Sequence, residues 1–465
     1  MRKVVIIGAG SFAFSSKLIS DILTFRELAD THFVLVDIDE RRLDYARQIA
    51  ERIFQDGNYD RATVTAESDR ARALAGADYV IVSILVGGYE AIAAEIDIPV
   101  KYGVRQCIGD TLTPGGIMRC LRTLPEMIAI GRDVMEQCPR ALVLNYTNPM
   151  SMLCWGMFDA CPDLRLVGLC HSVQGTTQGW AERLGVPIDE VTFDCAGINH
   201  QAWVTRFEHA GEDLLPKIRE LALEPRIWTG DSVRMEYVKH FGYPVTESSG
   251  HVSEYNPWFR KNEVTLERYC DPKGGRWNGK TGFIKELYDR PDWEERMRSM
   301  ASGETPIDLS RSLEYGSRIL NAHHTGEPVT IHGNVKNDGW IAALPETSVV
   351  EVAVEVDGDG FHPRPAEIPP HLAAINRGQI AVQELAVRAV GESDPERVFQ
   401  AMAIDPLTAM ACTLDEIRAM TRELMDAHDA LGLLGGLHGH RPAERPILFD
   451  KKVADAEVHV DPSEE

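Results

Sequence analysis

An α/β protein with an N-terminal parallel sheet and a C-terminal α+β half is predicted by three features of the sequence. A β-branched run, Val4-Val5-Ile6-Ile7, leads directly into Gly8-Ala9-Gly10-Ser11-Phe12-Ala13. Short apolar runs then alternate with longer amphipathic stretches up to about residue 165, the pattern of parallel strands joined by helices. Beyond that point the alternation loosens. The expected division is therefore residues 1–165, residues 166–434 and a tail over 435–465.

Gly8-x-Gly10-x-x-Ala13 is a variant of the dinucleotide-binding fingerprint, so the first part reads as a Rossmann domain. Gly8 makes the tight turn, Gly10 lets the backbone approach a pyrophosphate, and Ala13 lets the helix lie close to the strand. A helix over Ser16 to Thr24, just past Ser11 and Phe12, offers free N–H groups and its positive dipole end to the phosphates. The second strand, Phe33 to Val36, ends in Asp37, near the spacing at which a carboxylate takes ribose hydroxyls. Its charge repels a 2′-phosphate, which favours NAD over NADP. Asp39 reads as the cap of a helix from Arg41 to Phe54. Arg61 to Val64 and Ala77 to Ser83 supply a third and fourth strand. The turn Val86-Gly87-Gly88-Tyr89 after them places Gly87 and Gly88 against a nicotinamide ribose. Asp110, in the run that opens a long helix from Ile117 to Cys138, reads on its own as a turn residue or cap.

Two further apolar runs, Ala141 to Leu144 and Leu164 to Leu169, have the length of buried strands, and each delivers polar residues where the strand ends. Asn145 and Asn148 follow the first, Cys170 and His171 the second, and His200 comes later in Gly197-Ile198-Asn199-His200. A thiol, two imidazoles and a carboxamide there have the chemistry to hold a borderline divalent metal from different loops. Phe193 to Val204 reads as strand and loop, Arg234 to His240 as helix, and Gly282 to Met300 and Arg311 to His323 as charged helices. A strand pair follows at Val329 to His332 and Val349 to Val356, with helices at Pro370 to Val390 and Leu414 to Leu431.

The 465 residues carry 48 Lys and Arg against 71 Asp and Glu, and a net charge of -23 argues against nucleic acid or anionic membrane partners. No apolar run approaches the length of a membrane span. Nine scattered cysteines without a Cys-x-x-Cys pair fit a reducing cytoplasm. The stretch Gly435-Gly-Leu-His438-Gly-His440 and the acidic end from Asp455 read as a loose tail rather than a metal site.

Taken in order, Gly8-Ala-Gly-Ser, Gly87-Gly-Tyr-Glu, Pro114-Gly-Gly-Ile-Met-Arg, Asn145-Tyr-Thr-Asn-Pro-Met and Gly168-Leu-Cys-His-Ser-Val-Gln-Gly-Thr resemble glycoside hydrolase family 4. Gly197-Ile-Asn-His, Val245-Thr-Glu-Ser-Ser, Glu254-Tyr-Asn-Pro-Trp-Phe and Gly333-Asn-Val-Lys-Asn-Asp-Gly extend the resemblance. The Cys-His-Ser-Val form is similar to that of α-galactosidase members. The resemblance implies a dehydrogenase-like arrangement of the two domains, a cytoplasmic homodimer or homotetramer, and hydrolysis of a small α-glycoside with NAD and a divalent metal, Mn²⁺. It implies hydride removal at C3 of the sugar, proton removal at C2, elimination of the glycosidic oxygen, addition of water and return of the hydride, with no net redox change. This lies outside the two-carboxylate mechanisms.

Residue by residue, the resemblance implies Cys170 and His200 as metal ligands and Asn148 as a substrate contact. His171 takes the position of the proton donor, which is acidic in phospho-α-glucosidase members. Tyr255 matches the base, and Asp110 an acid that raises its basicity. A Tyr with its ordinary pKa of about 10 needs a neighbouring cation to act at neutral pH. Arg260 reads either as a surface charge or as a bidentate partner for a C6 carboxylate, which would make the substrate an α-galacturonide; an α-glucoside is a further alternative. From other classes, an NAD-dependent 2-hydroxy acid dehydrogenase would share the first domain, and a non-catalytic NAD sensor would not need Cys170, His200 and Asn148 together.

Overall fold

The computed structural model describes residues 1–11, 14–270 and 279–445. Phe12 and Ala13 of the fingerprint, and the acidic end from Asp455, lie outside the described residues. Among the described residues, twelve strands form one sheet. They are β1 (Lys3–Ile7), β2 (His32–Val36), β3 (Thr63–Ala66), β4 (Tyr79–Val82), β5 (Leu142–Asn145), β6 (Leu166–Gly168), β7 (Val191–Ile198), β8 (Gln201–His209), β9 (Glu212–Asp213), β10 (Val329–Lys336), β11 (Val349–Asp357) and β12 (Gly360–Pro363).

The parallel half runs β3-β2-β1-β4-β5-β6. Its central strands are continuous Val/Ile/Leu runs because helices cover both faces, and Val4, Val5, Ile6, Val80, Ile81 and Val82 are inaccessible to solvent. The chain reverses direction across the sheet between β1 and β4, so the crevice at their carboxyl ends is where such a fold takes a ligand. The predicted helices settle at Phe14–Leu23, Glu40–Gly57 and Thr113–Gln137. Asp39 caps the second by accepting from the backbone N–H groups of Arg41 and Arg42.

The second half does not form a separate layer. From β6 the same sheet continues through β10, β11, β7, β8 and β9, now antiparallel, with β12 paired to β11. The expected division after residue 165 falls immediately before β6, the last parallel strand. Register aligns Gly168, Asn334, Glu351 and Gly197 in one row across four strands. Cys170 lies two residues beyond one end of that row and His200 three residues beyond the other.

Several expectations are corrected here. Phe193 to Val204 is not strand and loop but parts of two paired strands, with His200 in the turn between β7 and β8. The charged stretch from Gly282 is two helices, Phe283–Tyr288 and Trp293–Ser302, because Pro291 forbids a continuous one. Helices Pro395–Ile404 and Pro406–Ala411 escaped the sequence reading although Asp394-Pro395 and Asp405-Pro406 are cap-then-Pro starts; both aspartates accept from backbone N–H groups inside their helices. The tail is not loose as far as residue 445. His438 Nδ1 lies 2.8 Å from Asp429, Arg441 pairs with Asp426 and Asp429, and Leu437 is buried.

One buried polar cluster fastens the C-terminal helix to the first domain. Glu95, on helix Gly88–Lys101, accepts from Arg122 Nε at 2.6 Å and Nη2 at 3.0 Å, and faces His428 Nε2 at 3.0 Å. Burial works against the Glu95 carboxylate, but Arg122 and His428 outweigh it and hold its pKa below the ordinary value. Removing one member strands the others as uncompensated buried charge. Glu95→Ala is therefore expected to cost about 3–5 kcal/mol of stability, measured by denaturant unfolding, whereas removal of the exposed ion pair partner Glu304 should change it by under about 1 kcal/mol.

Candidate active site

The turn after β1 is built as a cradle. Gly8 and Ala9 donate their N–H groups to Val36 O at 2.9 and 3.0 Å, wedging the turn against β2. Gly8 has φ +85°, and a Cβ there would sit 2.0 Å from Ser83 O, so no other residue fits. At Gly10 a Cβ would meet Asp37 Oδ2 at 2.7 Å; instead the Gly10 N–H donates to that oxygen at 2.8 Å. Ser11 Oγ lies 3.0 Å from Ser15 Oγ at the start of helix Phe14–Leu23. Gly87 is the N-cap of helix Gly88–Lys101. Gly8, Gly10 and Ser11 thus follow the end of β1, Asp37 follows the end of β2, and Gly87 caps the helix that follows β4. A glycine turn, a helix N-terminus and a carboxylate at the end of the second strand are the parts that hold a dinucleotide.

At the continuation of the sheet, Cys170 Sγ lies 3.3 Å from His200 Nε2, and Glu247 Oε2 lies 3.6 Å from the same nitrogen. One ligand atom from each of the three falls within 4.8 Å of the others. The tautomer of His200 follows from its other side. Thr111 Oγ1 has a single hydrogen and donates it to Asp110 Oδ1 at 2.7 Å, so it must accept from His200 Nδ1 at 2.8 Å. The Nδ1 proton is fixed there, and the Nε2 lone pair is turned toward the thiol. Burial lowers the His200 pKa and keeps the ring neutral, which a metal ligand requires. The chemistry of the donor set fits a divalent metal.

Around this pair runs a buried ring of hydrogen bonds and ion pairs. His251 Nε2 is 3.0 Å from Asp110 Oδ1, and its Nδ1 is 3.6 Å from Glu247 Oε1. Burial opposes the His251 imidazolium, but Asp110 and Glu247 on either side raise its pKa well above the ordinary value. Burial likewise opposes the Asp110 carboxylate, yet the charge and hydrogen bond of His251, with Arg119 and His200, hold it well below the usual range. Asn148 Nδ2 donates to Asp110 Oδ2 at 3.3 Å while its Oδ1 is buried with no partner among the described residues. Glu254 accepts the N–H groups of Cys107, Ile108 and Gly109 at 2.5–3.1 Å and so pins the loop that carries Asp110.

Tyr255 is fully buried, with its hydroxyl 3.3 Å from His200 Nδ1. Burial, then Asp110, Glu254 and Glu247, push its pKa well above 10. The phenol is thus a held acid until positive charge is brought near it. His171 follows Cys170, but its ring is 72% exposed and lies 3.4 Å from Glu314. A hydrogen bond to Glu314 raises its pKa, so it carries a proton at neutral pH.

The reading of Arg260 as a surface charge is corrected. Its side chain is inaccessible to solvent; Nη1 donates to Gly279 O at 2.7 Å and Ser253 Oγ at 2.9 Å, and Nε to Arg105 O. These bonds turn Nε and Nη1 onto the protein, while Nη2 is buried with no partner among the described residues. Conversely, Glu247, His251 and Glu254 were missed as site residues. The i,i+4 pair Glu247 and His251 beside Tyr255 was the available signal.

Comparison with known proteins places these features in a family. Residues 3–186 match the model of the family 4 glycosyl hydrolases, and residues 195–408 match the model of the C-terminal domain of the same family. An α-galactosidase of Bacillus subtilis is 38% identical over 440 residues, covering 92% of this chain and 98% of that protein. An α-galactosidase of Rhizobium meliloti is 36% identical, covering 91% and 88%. A 6-phospho-α-glucosidase from gut microorganisms, solved in complex with NAD and Mn²⁺, shares the fold with a TM-score of 0.75 at 18% identity, covering 92% of this chain and 98% of that one.

The ring predicts a pH signature. A His whose folded pKa is raised contributes stability that is complete below its unfolded pKa, about 6.5, and is lost as pH rises through the folded value. In metal-free protein, the stability gap between wild type and His251→Gln should be full below about pH 6.5. It should narrow progressively as pH rises above that value toward the raised folded one, as followed by thermal unfolding across a pH series.

Proposed function

The chain belongs to the family 4 glycosyl hydrolases, and on that premise we propose that it hydrolyses α-galactosides with bound NAD and a divalent metal, Mn²⁺. The observation that carries this reading is the free Nε2 lone pair of His200, fixed by Thr111 and turned onto the Cys170 thiol at 3.3 Å. The 38% and 36% identical α-galactosidases, aligned over about nine-tenths of the chain, support the substrate class. The hydroxy acid dehydrogenase alternative is set aside because the family match continues through residue 408. A uronide remains the alternative to which Arg260 would contribute, but its side chain is inaccessible to solvent.

When bound, NAD supplies reversible hydride acceptance at C3 of the sugar, and the metal supplies Lewis-acid polarisation of neighbouring oxygens. Gly8, Gly10, Ser11 and the helix N-terminus behind them would hold the pyrophosphate, Asp37 the adenosine ribose and Gly87 the nicotinamide ribose. Cys170 and His200 would hold the metal. Asn148, whose Oδ1 has no partner among the described residues, accepts from a sugar hydroxyl. Tyr255 takes the C2 proton once its own proton has been drawn off. The positive charge that a metal held by Cys170 and His200 would supply is what would lower its pKa, and Asp110 keeps the resulting phenolate basic. His171, kept protonated by Glu314, delivers a proton to the leaving oxygen from the mouth of the site. The working form is taken to be a cytoplasmic homo-oligomer; among the described residues no helix is long and apolar enough to cross a membrane.

Release of nitrophenol from a nitrophenyl α-galactoside should require both NAD and Mn²⁺ in protein stripped of each, with no accumulation of NADH. Turnover undiminished without NAD would contradict the proposal. Cys170→Ser should reduce this activity by at least about 100-fold, in line with the loss of a principal metal ligand, while NAD binding measured by fluorescence titration is unchanged.

A further inference from the structure

We propose that Glu247 is a third protein ligand of the divalent metal, so that the chain grips the ion through thiolate, imidazole and carboxylate before any sugar arrives. The inference rests on the Cys170 and His200 metal site proposed above and extends it.

Four observations carry it. The first is proton counting. His200 Nε2 presents a lone pair because Nδ1 holds the ring proton, and Glu247 Oε2 faces it at 3.6 Å, also as an acceptor. The Cys170 thiol has one hydrogen for both. Three electron-pair donors converging on so small a space call for a cation between them. The second is orientation. Glu247 Oε1 is already engaged, accepting from Ser248 N at 2.9 Å and lying 3.6 Å from His251 Nδ1, so that Oε2 alone points at the site. This is the outer-shell anchoring that ligating carboxylates receive.

The third is the backbone. Glu247 has φ +73° and His200 φ +66°, a region that side-chain-bearing residues enter only when held there. Both strained residues aim their side chains at the same point. The fourth is the ion. Thiolate and imidazole alone suit softer metals, whereas a carboxylate suits Mn²⁺, and thiolate plus carboxylate together neutralise a divalent charge in a largely buried site.

A second trio, Asp110, His200 and His251, also lies close enough to ligate. It is excluded because His200 Nδ1 and His251 Nε2, the nitrogens facing Asp110 and its hydrogen-bonded Thr111, both carry protons. Asp110 and His251 instead serve as supports, one behind His200 and the other behind Glu247.

The test is titration of the NAD-loaded full chain with Mn²⁺ in the absence of sugar, reading free Mn²⁺ by electron paramagnetic resonance, together with the visible spectrum of the Co²⁺-loaded protein. Glu247→Gln keeps the shape of the side chain, and Glu247→Gly relieves the positive φ so that folding is not at risk. Both should weaken Mn²⁺ binding by at least about tenfold and alter the ligand-field bands of Co²⁺, while the thiolate-to-cobalt charge-transfer band persists. If either variant binds Mn²⁺ as wild type does while Cys170→Ser does not, Glu247 is no ligand and the inference alone falls. If Cys170→Ser also binds as wild type does, the metal site itself has been misplaced and the inference falls with it.

Discussion

The hydrogen bond from His200 Nδ1 to the Thr111 hydroxyl is the contact on which the site depends. Thr111 can accept that proton only because it spends its own on Asp110, and Asp110 stays ionised only because His251 and Arg119 face it. Through this chain of donors, a carboxylate with no direct contact to Cys170 decides which nitrogen of His200 is free. Reversing the tautomer would leave the same residues in place and point an N–H at the thiol. A neutral ligand set would become a blocked one.

The fold makes this arrangement possible by refusing a clean separation of its halves. The nucleotide crevice lies where the parallel sheet switches direction at β1 and β4, and the metal-ligand candidates follow β6 and the β7–β8 turn of the same sheet. Because β10 and β11 bridge β6 to β7 by direct pairing, the spacing between crevice and ligand site is set by strand register rather than by a hinge. A sugar bound by Asn148 between them would meet a cofactor on one side and a metal on the other, each presented by a rigid element.

Much of this was legible in the residues, and the failures have physical causes. Gly8, Gly10 and Asp37 are readable because only one backbone geometry satisfies that spacing. Cys170 and His200 are readable because polar residues at the ends of apolar runs stand out. Glu247 and His251 are not, since Glu247 precedes and His251 lies within the short helix Ser249–Val252, which has too few residues for a periodic signal. The burial of Arg260 escaped notice for a different reason. A lone Arg beside aromatic residues suggests an exposed clamp, and nothing local reveals that Gly279 and Arg105, far away in sequence, offer it their carbonyls. The second of the paired strands around His200 was missed because the register shift opposite Asp194 and Cys195, which leaves Thr205 unpaired, breaks the alternation that would have announced it.

What unites the crevice, the ligand pair and the buried phenol is one chemical requirement, that the hydrogen on C2 of the sugar become acidic through transient oxidation at C3. A nitrophenyl α-galactoside deuterated at C2, hydrolysed in ordinary water with NAD and Mn²⁺ present, tests this most directly. Mass spectrometry of the released galactose should show the deuterium replaced by hydrogen. Galactose that retains its deuterium completely would contradict the account and return the protein to a mechanism without proton abstraction at that carbon.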